Sequence, residues 1–178
     1  QGDVAPFAWM LSRDASGSAE DTRATRESLT ALGEGGADVL TRSGAQEGDD
    51  IYVSGTIGDG ALGLLEIQGK LPALDTGTKE ALVARYRVAE PRIALGQALC
   101  GIARACMDVS DGLLADLGHL CTASGVGARI TAAAVPLSDA ARAAVAVEPT
   151  LMATVLGGGD DYELLFTAPP AARAQVAA

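Results

Sequence analysis

Apolar residues recur along the chain in two rhythms, and the shifts between them mark its elements. Leu113, Leu114, Leu117, Leu120 and Cys121 fall at i, i+1, i+4, i+7 and i+8, which predicts a helix with one buried stripe, off which Asp116 and His119 lie. The same rhythm predicts a helix with Ala61, Leu62, Leu64, Leu65 and Ile67 on its apolar face and Asp59 as N-cap. Another covers 78–88, with Leu82, Val83 and Tyr86 on one side. Pro91 suits a first helical position, and Ile93, Leu95, Ala98, Leu99 and Ile102 extend that helix to about Ala103. Ser138 or Asp139 caps a further helix, and a short one covers 151–156.

Shorter apolar runs bounded by Gly, Asp or Pro predict strands at 28–34, 51–55, 105–109, 128–132 and 162–167, the last ended by Pro169 and Pro170. Residues 35–50 and 70–77 read as loops, Gly125 and Gly127 stop the helix before them, and residues 1–27 show no sustained period. Strands and helices alternate with no solenoid repeat, so the chain is of mixed α and β class.

Composition narrows the partners. Of 178 residues, 13 are Lys or Arg and 23 are Asp or Glu, a net charge of −10, with no local basic patch to draw nucleic acid or anionic lipid. Aromatic residues make up only 3%, too few for a base-stacking platform. No apolar run approaches the roughly 18–20 residues that span a bilayer, and the N-terminus lacks the pattern of a signal peptide. Neither nucleic acid nor a membrane is expected as a partner. Cys100, Cys106 and Cys121 are odd in number and without C-x-x-C spacing, which points to a reducing, cytoplasmic setting. A zinc set of these cysteines with His119 matches no standard spacing, so they read as buried small hydrophobes.

An acidic surface can still receive phosphates when its carboxylates hold divalent cations. Three glycine-and-aspartate loops offer that chemistry: Gly55 to Gly60, Asp108 to Gly112, and Gly157 to Asp161 with Glu163 beyond. With Asp49, Asp50 and Asp116 they hold nine of the 23 acids. Each loop also fits a plain turn with an N-cap. In the second, however, one cap needs one Asp, and two carboxylates this close repel unless a proton or cation lies between them. Ser110 can donate to a phosphate oxygen at the start of the following helix.

Read in order, Arg42-Ser-Gly-Ala-Gln-Glu-Gly-Asp49, Ile51 to Asp59, Met107-Asp-Val-Ser-Asp-Gly-Leu-Leu-Ala-Asp-Leu-Gly-His119 and Gly158-Gly-Asp-Asp-Tyr-Glu-Leu-Leu-Phe-Thr167 resemble the thiamine-monophosphate kinase family. Each segment alone is shared with the wider aminoimidazole ribonucleotide synthetase-like superfamily. The Gly-Gly-acid-Asp-Tyr-Glu-Leu run favours the thiamine enzymes. The resemblance implies an α+β fold, a mixed sheet flanked by helices, with residues 1–40 a remnant of an N-terminal ATP-binding domain and 41–178 most of the C-terminal one. It implies a kinase that phosphorylates thiamine monophosphate to thiamine diphosphate with ATP, by Mg²⁺-assisted in-line transfer, as a homodimer in the intact protein. By the family pattern Asp108, Asp111 and Asp21 are Mg²⁺ ligands and Arg42 and Ser110 contact ATP. Asp160 stands where the family has a substrate-contacting Glu, one methylene longer.

The family's Gly-Asp-Asp metal loop and its C-terminal substrate-stacking aromatic have no counterpart here, so the sequence reads as a truncated form. The acceptor phosphate, with a second pKa near 6, needs no general base at neutral pH. His119 therefore reads as a solvated helix residue. Two alternatives stand beside this reading: a superfamily relative with another acceptor, and a non-catalytic C-terminal module.

Overall fold

Ala8–Ser12 (β1) and Ser28–Leu32 (β2) pair antiparallel, with Ala8 opposite Leu32, in a computed structural model that describes residues 8–12, 28–32 and 39–177. Strand β1 falls in the stretch where no period was expected. Trp9, Met10 and Leu11 are a continuous apolar run too short to show alternation. The chain divides into two units, Gln1–Val39 and Leu40–Ala178, and the second carries every candidate site residue except Asp21.

In the second unit the sheet contains Asp50–Val53 (β3), Ala105–Asp108 (β4) and Leu164–Ala168 (β5), in the order β3-β5-β4. Both pairings are antiparallel, so the α+β class stands while the sheet is not mixed. Asp50 faces Ala168 across one pairing and Ala105 faces Thr167 across the other. The register puts Ile51, Val53, Ala105, Met107 and Leu165 on one face, against the main core of Leu62, Leu82, Leu113, Leu117, Leu120 and Val155. The opposite face packs Phe166 on Leu99 and Ala103, with Tyr52 stacked on the Phe166 ring at 5.2 Å.

Seven α-helices surround the sheet among the described residues: Asp59–Ile67 (α1), Thr76–Arg87 (α2), Ile93–Ala98 (α3), Leu113–Ser124 (α4), Asp139–Val147 (α5), Leu151–Gly157 (α6) and Arg173–Val176 (α7). Several boundaries match expectation, with Ser138 capping α5 by accepting from the Ala141 N–H and left-handed Gly125 closing α4. Others differ for identifiable reasons. Gly58, not Asp59, is the N-cap of α1, because the chain enters the helix through a left-handed residue. Helix α3 starts at Ile93, since Arg92 at its N-cap is drawn into an ion pair, and it ends early in a turn through left-handed Gly101. Residues 128–132 form no strand; Ala132–Ala134 is instead a single 3₁₀ turn. Tyr162 has a left-handed φ of 52°, so β5 begins only at Leu164.

Helix α4 departs most instructively from its sequence pattern. Leu113, Leu117 and Leu120 are buried as expected, but Leu114 is 49% exposed and Asp116 only 2% exposed. Asp116 turns back over the helix start, where it meets unpaired amides.

Candidate functional site

The three glycine-and-aspartate loops converge, with the third between the other two. Its Asp160 N–H donates to the Ser110 carbonyl at 3.0 Å and the Tyr162 N–H to the Val109 carbonyl at 2.8 Å. On its other side Asp161 accepts from the Gly58 N–H at 2.7 Å and the Gly60 N–H at 3.0 Å, tying it to the start of α1. Approach this close needs glycine. A methyl at Gly159 would collide with the Ser110 carbonyl oxygen, and Gly112, at a φ of 119°, lies under the Gly157 carbonyl.

Buried carboxylates hold these loops in place. One oxygen of Asp116, Oδ2, accepts three consecutive amides, Ser110 and Asp111 at 3.0 Å and Gly112 at 3.1 Å. These amides belong to the loop residues and the N-cap that lead into α4, so Asp116 fixes the loop against the helix that follows it. Asp59 does similar work between α1 and α5, accepting from Thr56 at 2.7 Å and from the Ser138 hydroxyl.

Glu163, fully buried, receives Arg92 through two bonds of 2.7 and 2.8 Å, Arg85 at 2.9 Å and the Ser54 hydroxyl at 2.5 Å. Burial pushes its carboxyl up, but the bonds from Arg92 and Ser54 and the two guanidinium charges outweigh that and hold it below the ordinary value. Asp161 goes the other way. Burial raises it to about 6 against the lowering pull of the Gly60 and Gly58 amides, and the nearby Asp59 charge adds to the rise.

Six of the nine acids singled out in the sequence are thus either paired with an arginine or buried among hydrogen-bond donors. Asp49 pairs with Arg104 and Asp50 with Arg173, beside Asp59, Asp116, Asp161 and Glu163. Among the described residues the other three are neither: Asp108 and Asp111 are exposed, and Asp160 is half-buried and accepts only from the Tyr162 hydroxyl at 3.2 Å. Burial first, then the bond and charge of Asp160 and the charge of Asp108, raise the Tyr162 hydroxyl above its usual value, so both carboxylates act on one phenol.

Ser110 is joined to Asp160 through the backbone bond, and Asp108 ends the strand that leads into Ser110. Arg42 is exposed beside β4, its neighbour Thr41 accepting from the Cys106 N–H at 2.8 Å. The structure therefore brings the loops of Asp108, Ser110, Asp111 and Asp160 together, with Arg42 in the irregular segment beside β4. Asp21 lies outside the described residues. Sequence reasoning missed Arg85 and Arg92. Their only signal was two arginines seven residues apart around the end of one helix, which gives no hint of a shared buried acid.

The sequence and the fold are both similar to those of known proteins. A thiamine-monophosphate kinase of Escherichia coli is 49% identical over 130 residues, 73% of this chain and 40% of that protein. The crystal structure of a thiamine-monophosphate kinase from Stenotrophomonas maltophilia superposes with a TM-score of 0.73 at 42% identity, covering 84% of this chain and 48% of that one. AaThiL, solved in complex with AMPPCP and TMP, gives 0.66 at 36% identity, over 73% of this chain and 42% of that one. The chain spans about two fifths of the length of the curated relatives it matches. Residues 46–178 match the family described as AIR synthase related protein, C-terminal domain, and the chain belongs to that family.

Proposed function

We propose that this chain carries part of a kinase site that transfers the terminal phosphoryl group of ATP to thiamine monophosphate. The observation that supports the reading is the meeting of the second and third loops, where the Asp160 N–H donates to the Ser110 carbonyl and Gly159 packs against Ser110 and Asp111. Relatives of the same family named as thiamine-monophosphate kinases, one of them solved with AMPPCP and TMP, supply the choice of substrates.

Asp108, Asp111 and Asp160 offer hard carboxylate oxygens, the ligand type that suits Mg²⁺. Asp108 and Asp111 would hold the ion, whose chemistry there is to neutralise charge between donor and acceptor phosphates. Ser110 donates to a phosphate oxygen, and Arg42 adds a positive charge from the segment beside β4. Asp160 faces the thiamine side of the acceptor, one methylene short of the family's Glu. The acceptor oxygen is deprotonated near neutral pH, so positioning and charge cancellation carry the reaction and the phosphoryl group passes directly. A cytoplasmic homodimer is the expected setting of the intact enzyme; the cysteines, all free, support a reducing compartment.

Calorimetric titration of the purified chain with Mg²⁺-ATP tests the site. Binding heat is expected, and it disappears in the Asp108→Ala, Asp111→Ala double variant while the melting curve stays cooperative. Unchanged binding by that variant would move the nucleotide site elsewhere.

A further inference from the structure

At the start of α4, donor atoms of Asp111, Asp116 and His119 lie within 4.8 Å of one another. Asp116 and His119 are one helical turn apart at i and i+3, which puts them on one face of the helix, and Asp111 comes from the loop just before it. The set differs from a chance group of surface acids in its buried member. Asp116 is 2% exposed and held rigidly, because its Oδ2 accepts three backbone amides. Its other oxygen, Oδ1, receives no donor among the described residues, and no Lys or Arg there pairs with Asp111 or Asp116. A ligating carboxylate oriented from behind by hydrogen bonds is the usual arrangement around a bound metal.

We propose that Asp111, Asp116 and His119 form a site for a divalent ion that accepts a nitrogen ligand, of the Zn²⁺ or Co²⁺ class, distinct from Mg²⁺ and sharing Asp111 with the neighbouring loop. Imidazole suits these ions, whereas Mg²⁺ takes oxygen. Two carboxylates and a neutral imidazole balance a double positive charge and leave room for water or a phosphate oxygen. Donors about 2.0–2.1 Å from a tetrahedral ion sit about 3.3 Å apart, so the 4.8 Å spread has to contract. Asp111 and His119, both exposed, are free to make that movement around the fixed Asp116. Asp111 belongs to both sets, so an ion held by His119 takes it from Mg²⁺; this consequence rests on the kinase reading, while the site itself does not.

The test uses the nucleotide-free chain, so its failure is separate from failure of ATP binding. His119 is the only histidine, so its imidazole NMR signals report on one residue alone. Zn²⁺ at stoichiometric concentration is expected to shift them, and Co²⁺ to give a visible absorption band that excess Mg²⁺ does not remove. His119→Ala should weaken Co²⁺ binding at least tenfold at an unchanged melting temperature, and Asp111→Asn should weaken it as well. Equal Co²⁺ affinity in the His119→Ala variant overturns the proposal. So does displacement by Mg²⁺ at equal concentration, or loss of the Co²⁺ band on replacing the exposed Cys100 by Ser.

Discussion

Asp161 and Glu163 stand two residues apart, both buried, yet the protein treats their charges in opposite ways. Glu163 has two guanidinium groups and a hydroxyl, whereas Asp161 has two backbone amides. The pH dependence follows from the signs. Asp161 has a folded pKa of about 6 against about 3.9 unfolded, so between these values the folded state binds more protons and stability falls as pH rises. Glu163, lowered in the fold, contributes stability present above its unfolded pKa of about 4.3 and lost as pH falls through its folded value. Asp161→Asn removes only the first effect. Urea unfolding from pH 4 to 6.5 should show the variant gaining about 3 kcal/mol on the parent as pH rises, with a constant gap above pH 7. A gap independent of pH would place the Asp161 charge elsewhere.

At the scale of elements, the meeting of loops depends on glycine at particular places. Gly159→Ala puts a methyl into the Ser110 carbonyl, and the third loop has to withdraw from the second. It is expected to cost about 2–4 kcal/mol. At Gly157, in the last turn of α6, an added methyl meets nothing, and alanine there should leave the urea midpoint nearly unchanged or slightly raised. Equal effects of the two substitutions would contradict the close packing of the loops.

The elements themselves were largely legible, because the helical stripes of α1, α2 and α4 and the bounded apolar runs of β3, β4 and β5 follow from burial on one side. The failures share a cause. Ile130 sits in a strand-like run, but residues 128–132 find no strand partner; Arg92 looks like a helical residue, but Glu163 holds it at the helix start. Periodicity reports which way a side chain faces and not what waits for it there. Asp116 shows the same limit at the site, since nothing in the spacing reveals that a polar position on a helix folds back over its own N-terminus.

At the scale of the molecule, the nine acids gathered at the loops, out of 23, are of two kinds: those that organise the loops from inside and the few that face outward at their junction. The excess of acid is in part an internal scaffold. The sheet sets a further condition on how this architecture comes about. Its central strand, β5, is the last of the three in the chain, so Asp50 waits for Ala168 and Ala105 for Thr167 before either pairing exists. Loop closure of this length precedes any reward from the sheet, which slows folding. Asp161 and Glu163, just before β5, arrive equally late, so neither α1 nor Arg85 and Arg92 have their buried partners until then. A chain cut after Asp160 is expected to lose cooperative thermal unfolding altogether, and a sharp melting transition in it would show that the helices hold together without the strand. During synthesis, helices that emerge early therefore remain provisional, and the unit reaches its final form in one late step.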